Sequence, residues 1–189
     1  MINKLKQFGF FQYGKVIPGL MIYGKPAPYP VLNERAVRAG AGIAFALGMF
    51  AFFHAFYLGD FLYIRILVVF LFVDFFMKVI IGVKFSPLSA LAQLIVHNQA
   101  PEYVGAVQKR FAWSIGLFLA TTMIFLLFVF DVQGPINLLI CATCLIFMFA
   151  ESAFGICVGC KLYTFLKKLG IIRETEYAPV CPGNVCSID

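Results

Sequence analysis

Four long apolar runs dominate this sequence and restrict what the chain can fold into. They extend over about 36–58, 61–83, 112–130 and 135–157. Each is long enough to cross roughly 30 Å of hydrocarbon, which takes about 20 helical residues. With 62% hydrophobic and 13% charged residues, the chain has more apolar surface than a soluble domain of this length can bury. The sequence therefore predicts a polytopic membrane protein.

The connections between these runs predict how the helices are arranged. The first two runs are joined by GDF around Asp60, and the last two by DVQGP at 131–135. Such short connections force antiparallel neighbours. In the middle loop, Ser86 is a plausible N-cap and Pro87 suits the first helical position, so we expect a short interfacial helix at about 86–98. The expected fold is all-α, with four transmembrane helices in an antiparallel bundle plus this short helix.

Outside these helices we expect two terminal segments. Residues 1–35 contain KPAPYP and many aromatic residues with interleaved lysines, a pattern typical of a strap along the lipid headgroups. Asn33 or a neighbour is expected to cap the first helix, and the N-terminus lacks the pattern of a signal peptide. We therefore divide the chain into a strap at 1–35, a four-helix domain at 36–172 and a cysteine-containing cytoplasmic tail at 173–189.

The distribution of lysine and arginine predicts the orientation. These residues precede the first run, flank the middle loop and follow the fourth run, and only Arg65 lies toward the other side. Short loops that carry positive charge stay in the cytoplasm. Both termini and the middle loop should therefore be cytoplasmic, in a bacterial inner membrane. The net charge of +6 then reflects topology and attraction to anionic lipid, and it is no argument for nucleic acid as a partner.

Ionisable residues inside the apolar runs need partners, because each costs about 2.5–3.5 kcal/mol at the bilayer centre on insertion scales. Lys78 follows Asp74 by four residues, so both lie on one helix face. Asp74 lies roughly 20 Å below the start of the second run, and Glu151 roughly 24 Å below the start of the fourth. These depths predict a polar cluster of Asp74, Lys78 and Glu151, which either locks two helices together or tunes a reactive site.

Two cysteines, Cys157 and Cys160, end the fourth run in the sequence ESAFGICVGCKLY. If the helix continues, they lie about 9–14 Å closer to the cytoplasm than Glu151. A cation such as Lys78 favours a reactive thiolate, whereas nearby carboxylates oppose it. Without a thioredoxin-like βαβ context, C-x-x-C is a weak motif. We treat the pair as a candidate catalytic dithiol with Glu151, Lys78 and Asp74 as candidate tuning residues.

The other four cysteines form two further pairs. Cys141 and Cys144 lie roughly 24 Å along the helix from the first pair, too far for the four sulfurs to share a metal ion. We interpret them as small apolar packing residues. Cys181 and Cys186 lie in the polar tail, where the intervening PGN favours a turn that brings the sulfurs together.

Three roles compete for the tail pair. The tail dithiol can relay electrons to the C-x-x-C through a mixed disulfide. The two pairs can instead bind a thiophilic metal as four thiolates, or the tail can have no redox role. We take the relay by Cys181 and Cys186 as the leading interpretation and assign no metal site.

Four strings in the chain resemble a known bacterial family. They are VLNERAVR, KFSPLSALAQ, AVQKRFAWSIGL and ESAFGICVGCKLY. Over about 31–168 the chain resembles the bacterial membrane family catalogued as domain of unknown function 4395, and the ending C-x-G-C-K-L-Y is the most specific part. The residues that fit the pattern are Asn33, Arg38, Asp74, Pro87, Lys109, Arg110, Phe111, Glu151, Gly155, Cys157, Gly159, Cys160 and Tyr163.

The resemblance implies a bacterial four-helix inner-membrane protein. Members occur beside or fused to thioredoxin-like or rhodanese-like modules, which implies thiol or sulfur chemistry by association. Cys141, Cys144, Cys181 and Cys186 do not belong to the pattern, so the resemblance does not imply a mechanism that needs the tail.

The leading interpretation is thiol-redox or sulfur handling by Cys157 and Cys160 at the cytoplasmic interface, with the helices in the lipid bilayer. Such a protein would be a thiol-disulfide oxidoreductase-like enzyme, with a thioredoxin-like or rhodanese-like partner. One alternative is a non-enzymatic membrane subunit or scaffold that docks a larger complex, and another is passage of a small sulfur species through the helices. The sequence contains no phosphate loop and no zinc-protease helix, and it identifies no cofactor.

Overall fold

The computed structural model describes residues 14–22 and 25–171, which are mostly helical. Their α-helices, numbered α1 to α6 in chain order, are Glu34–Leu58, Leu62–Phe76, Pro87–Ile95, Ala106–Ile124, Pro135–Phe154 and Val158–Lys168. Helices α2 and α4 continue into π-helical stretches at Met77–Ile81 and Phe125–Val129. Their short strands, numbered β1 to β4, are Met21–Ile22, Lys25–Pro26, Val31–Asn33 and Tyr103–Gly105.

Three helices of the described part are long and apolar enough to cross a membrane. They are Glu34–Leu58, Ala106–Val129 and Pro135–Phe154. Helix α2 is 15 residues long before its π-helical continuation and is not among them. Large apolar side chains such as Phe118 and Leu139 are exposed on the α4 and α5 surfaces, as expected where lipid replaces water. The chain is thus a helical protein of the membrane type.

Two predicted boundaries are wrong. The third span was expected to start at 112, but α4 starts at Ala106, because the charged first turn of this helix has buried partners. The fourth span was expected to reach Cys157, but α5 ends at Phe154, where Gly155 takes the left-handed conformation with φ 66°. The helix predicted at 86–98 is present at Pro87–Ile95, and the Ser86 hydroxyl accepts from the Ser89 N–H at 3.0 Å as its cap.

A row of small residues lets α1 approach its neighbouring helices closely. The buried residues of α1 recur at intervals of about four, and most are small: Ala36, Gly40, Ala44, Gly48, Ala51 and Ala55. A β-carbon at Gly48 would lie 2.8 Å from Leu145 Cδ2 on α5. Small residues at such positions allow van der Waals packing between helices in lipid, where the hydrophobic effect contributes little.

The N-terminal segment contains strands, whereas an irregular strap was predicted. Strand β1 pairs with β2, and β3 pairs antiparallel with β4, from Val31 opposite Gly105 to Asn33 opposite Tyr103. Strand β3 leads directly into α1, and β4 leads directly into α4. The pairing therefore brings the first turns of these two helices together. As predicted, Asn33 caps α1, because its Oδ1 accepts from the Arg35 N–H at 3.2 Å.

Candidate functional site

The C-x-x-C lies at the start of a new helix after a turn of the chain. The left-handed Gly155 ends α5, and its N–H donates to the Glu151 carbonyl at 3.1 Å. Cys157 then caps α6, because its Sγ accepts from the N–H of Cys160 at 3.2 Å. A cysteine in this position faces unpaired backbone N–H groups and the positive end of the helix dipole.

Cys157 and Cys160 are joined in a disulfide, with their Cα atoms 5.2 Å apart. They are only 5% and 1% exposed and pack against Ala112 of α4. A β-carbon at Gly159 would lie 2.5 Å from the Ala112 β-carbon, so only glycine allows α6 to approach α4 this closely. The disulfide is therefore held at the contact between these two helices.

A buried ion cluster lies one helical turn from this contact. Lys109 precedes Ala112 by three residues on α4, so the two share a helix face. The Lys109 Nζ lies 2.6 Å from Glu151 Oε1 and 3.0 Å from Glu34 Oε2. The lysine side chain is 1% exposed. One ammonium thus joins the first turns of α1 and α4 to the last turn of α5, and it faces two carboxylates.

Arg38 completes this region by binding the end of α5. Its guanidinium donates to the Ser152 carbonyl at 3.1 and 3.3 Å and to the Ala153 carbonyl at 3.2 Å. These carbonyls belong to the last turn, where a helix leaves acceptors unpaired and carries partial negative charge. A β-carbon at Gly155 would lie 3.5 Å from the same guanidinium. Arg38 therefore holds the helix end from which the cysteine segment departs.

The predicted pair of Asp74 and Lys78 is present at 2.6 Å, and both side chains are buried. Asp74 also accepts from the Ser86 hydroxyl at 2.6 Å and from the Leu88 N–H at 3.0 Å. The carboxylate therefore stabilises the N-terminus of α3. Lys78 lies 5.6 Å from the centre of the Trp113 ring, a cation–π distance.

The predicted single cluster is wrong in one member, because Glu151 pairs with Lys109 and not with Lys78. Two separate ion clusters exist. They border a common cavity of about 90 Å3, which Lys78, Glu151 and Trp113 line together with mainly apolar residues. Lys78 and Glu151 thus line a shared cavity, although the two side chains do not form an ion pair.

Two of the remaining four cysteines belong to the described part of the chain. Cys141 and Cys144 are free and half-buried on α5. Cys181 and Cys186, the predicted relay, lie outside the described residues. Among residues 14–22 and 25–171, no group of three His, Cys, Asp or Glu side chains could hold a metal ion.

Sequence reasoning did not assign Lys109, Glu34 and Arg38 to the site. Lys109 and Arg38 appeared only as residues that fit the family pattern, and Glu34 did not appear. A signal was present, since all three lie within a turn or two of the start of a long apolar run. Charged residues at such positions end up buried when another chain segment covers them, and here β3 and β4 bring that segment into place.

These features define a helical membrane protein with a buried disulfide at a helix N-terminus beside a buried ion cluster. Within that class, the chain belongs to the family described as Domain of unknown function (DUF4395), whose model matches residues 32–168. The match ends at the last residue of α6, so it includes α1 to α6 and excludes Cys181 and Cys186. Neither the curated proteins nor the solved structures contain a match to this chain.

Proposed function

We propose that this protein is a bacterial inner-membrane thiol-disulfide redox protein whose reactive group is the Cys157–Cys160 pair. The observation that carries the proposal is the bonded pair in the first turn of α6, with Cys157 as the N-cap. Helix N-termini stabilise a thiolate, because backbone N–H groups and the helix dipole interact with its charge. Disulfides on the cytoplasmic side are usually transient and catalytic or redox-sensing, since cellular reductants open them.

The exchange follows from the difference between the two sulfurs. A thiolate of a partner dithiol attacks Cys157, the more exposed of the pair, and the Cys157–Cys160 bond breaks as Cys160 leaves. The second partner thiol then attacks the partner sulfur of this mixed disulfide and releases Cys157. The partner loses two electrons and two protons, and the cysteine pair gains them. The released Cys157 thiolate is stabilised by the N–H of Cys160 until it takes up a proton.

Access to the sulfurs requires a local movement, because both cysteines are buried. The contact with Ala112 has to open for a partner to reach Cys157. The connection between α5 and α6 is the natural hinge, since Gly155 sits there in a conformation that other residues rarely adopt. Burial then slows direct reaction of the pair with small molecules and favours exchange with a partner that displaces the first turn of α6, so that small reagents act on the pair mainly through the thiols of the cell.

The orientation and the number of spans belong to the same proposal. Arg35, Arg38 and Lys109 lie at the starts of α1 and α4, whereas Arg65 binds Asp131 near the opposite helix ends. The positive-inside rule places the first end, and with it the cysteine pair, in the cytoplasm. Residues 62–81 form a fourth span, because helix and π-helical stretch together rise roughly 30 Å.

The partner in this scheme is a thioredoxin-like or rhodanese-like protein in the cytoplasm. Cys181 and Cys186 can act as an intermediate dithiol, since they follow α6 in the sequence and are close to Cys157 along the chain. The family match excludes these two residues. Exchange at Cys157 is therefore proposed to work without them, and the tail pair adds a second route for electrons.

Thiol trapping in bacterial cells tests the proposal. Cells that express the full chain are quenched in acid before and after treatment with diamide or dithiothreitol, and free thiols are then labelled with a mass-tagged maleimide. We expect Cys157 and Cys160 to lose both labels on oxidation and to regain them on reduction. Cys141 and Cys144 on α5 are unpaired, so they serve as the internal control and should label throughout.

The order of attack is tested with two matched variants. Cys160→Ser leaves Cys157 free to hold a mixed disulfide with the partner, whereas Cys157→Ser removes the attacked sulfur. We expect a covalent adduct with a thioredoxin-like protein in the first variant only. A Cys157–Cys160 pair that keeps one redox state under every treatment, with no adduct in either variant, would remove the basis for this function.

A further inference from the structure

A larger cleft of about 790 Å3 lies next to the inner cavity, beside strands β3 and β4. The two spaces share Leu32, Asn33, Val83 and Gln93 as lining residues. We call the larger one the basic cleft. Its polar side chains are two lysines, one histidine, three amides and one tyrosine, namely Lys15, Lys84, His97, Asn33, Gln93, Gln99 and Tyr103. None of the described residues that line it is acidic, so the cleft attracts anions.

The two lysines of the basic cleft differ from the buried lysines elsewhere in the fold. Lys78 and Lys109 are neutralised by carboxylates. Lys15 and Lys84 are exposed, and within the described part of the chain neither forms an ion pair. Their positions are nevertheless fixed, because the backbone of Lys15 exchanges two hydrogen bonds with Val31 and Lys84 lies in a 3-10 turn. The backbone at both lysines is therefore held in place, and their ammonium groups are available to a ligand.

His97 adds a further polar group at the rim of the cleft. Its Nδ1 lies 2.7 Å from the Leu94 carbonyl oxygen, so this nitrogen carries the proton that makes the bond. The other ring nitrogen, Nε2, is an acceptor in the neutral ring, so it can bind an O–H group of a ligand. The two ammonium groups suit a phosphate group, whose oxygens accept several charge-assisted hydrogen bonds at once.

Helix α3 indicates where the basic cleft lies relative to the membrane surface. This helix supplies Gln93 and ends just before His97. One face of α3 is buried, and its exposed face carries large apolar residues, namely Leu91, Leu94 and Ile95. A short helix of this kind lies in the interface, with its apolar face at the boundary between headgroups and acyl chains. Cations beside it lie at the level of the lipid phosphates.

We propose that the basic cleft binds a phosphate-bearing anion, held by Lys15, Lys84 and His97. An anionic phospholipid headgroup and a soluble phosphate ester share this chemistry. The amides of Asn33 and Gln99 can bind hydroxyl groups of either ligand. The cleft contains neither Cys157 nor Cys160, so its ligand is independent of the redox function proposed above.

Binding can be measured on the full chain in a neutral detergent. Native mass spectrometry counts retained phosphatidylglycerol, with phosphatidylcholine as the zwitterionic comparison and glycerol 3-phosphate as the soluble probe. Trp113 is the only tryptophan of the chain and lines the adjoining cavity, so its fluorescence gives a second readout. Removing either lysine of the basic cleft is expected to weaken the affinity for phosphatidylglycerol about fivefold.

The matched variants distinguish binding in the basic cleft from a general effect of the protein's positive charge. The double variant K15Q/K84Q should lose most of its affinity for the anionic probe. The control K161Q/K168Q removes the same charge from exposed lysines of α6 and should bind like the unaltered protein. The charge-retaining K15R/K84R should keep binding, and circular dichroism checks that all variants are folded.

The probes separate the sources of the ligand. Retention of phosphatidylglycerol without binding of glycerol 3-phosphate supports the proposal with a headgroup as ligand. Saturable binding of glycerol 3-phosphate supports it with a soluble ester. Equal retention of phosphatidylglycerol and phosphatidylcholine without glycerol 3-phosphate binding, or equal losses in both glutamine double variants, would overturn the proposal.

Discussion

The Nζ atom of Lys109 lies 2.6 Å from Oε1 of Glu151, although 42 residues separate them in the chain. The contact joins the first turn of α4 to the last turn of α5. Glu34, at the first position of α1, forms an ion pair with the same ammonium group. The Lys109 side chain therefore joins three helices. It lies one helical turn from Ala112, the residue that the disulfide contacts.

Replacing Lys109 by methionine should destabilise the protein strongly. The substitution keeps the side-chain volume and leaves Glu34 and Glu151 facing each other without the counter-ion that they share. Removing one partner of a buried ion pair costs about 3–5 kcal/mol. We expect a lower midpoint of thermal unfolding in detergent micelles and a lower yield of folded protein.

Two comparisons make the Lys109 prediction specific. Arg35→Met breaks the partly exposed pair with Glu102 and should cost about 1 kcal/mol or less. Adding Glu34→Gln and Glu151→Gln to Lys109→Met removes the uncompensated charges and should restore much of the lost stability. An unchanged midpoint for Lys109→Met alone would contradict the energetic role of the cluster.

Gly159→Ala should separate α6 from α4. The added β-carbon would lie 2.5 Å from that of Ala112 and 2.7 Å from its Cα, so the helix has to move. Overpacking of this kind costs about 1–3 kcal/mol. We expect lower thermal stability and faster alkylation of reduced Cys157 in the variant.

Gly40→Ala is the matched control for Gly159→Ala. Its β-carbon would lie 3.6 Å from Ala92 Cβ, an ordinary contact. Alanine in a helix interior is favoured over glycine by about 1 kcal/mol, so this variant should be as stable as the parent or more stable. If both glycine variants behave alike, close packing between α4 and α6 is not what limits stability.

Cys157→Ser and Cys157→Ala should differ although both abolish the disulfide. Serine can still accept a hydrogen bond from the Cys160 N–H as the N-cap, and alanine cannot. The loss of an N-cap side chain costs about 1 kcal/mol. Hydrogen exchange of the first-turn amides of α6 should therefore be faster in Cys157→Ala, by roughly fivefold for that energy. Equal exchange rates would show that the cap contributes nothing to α6.

Asp74→Asn should loosen α3 from the rest of the fold. The variant weakens the bonds to the Ser86 hydroxyl and the Leu88 N–H and leaves Lys78 without its counter-charge. Hydrogen exchange of α3 should become faster, and thermal stability should fall by about 3–5 kcal/mol. Asp131→Asn, at the exposed pair with Arg65, should cost about 1 kcal/mol or less. A result in which α3 keeps its protection would argue against Asp74 as its anchor.

The features predicted correctly from sequence are local ones. The Asp74–Lys78 pair depends on two residues one turn apart, and the cap of α3 depends on Ser86 next to Pro87. Long apolar runs likewise determine helices without reference to the rest of the chain. In each case the physical cause acts over a few residues, so it can be read from the sequence.

The predictions were wrong where a contact depends on the direction of a side chain about its helix axis or on the pairing of segments far apart in the sequence. Depth along a helix follows from 1.5 Å per residue, but each residue also turns the side-chain direction by about 100°. Glu151 therefore lines the same cavity as Lys78 and still binds Lys109. The position of Lys109 depends in turn on the pairing of β3 with β4, across 70 residues of sequence. The end of α5 at Gly155 was not predicted, because glycine can continue a helix or end it in the left-handed conformation.

The 75 residues between Glu34 and Lys109 impose an order on biosynthesis. Translation proceeds from the N-terminus, so the carboxylate at the head of α1 leaves the ribosome long before its counter-ion. Until α4 is synthesised, the first helical hairpin exists as an incomplete intermediate. A nascent chain that stops ahead of residue 106 should therefore be degraded rapidly in cells, whereas one that continues through α5 should persist.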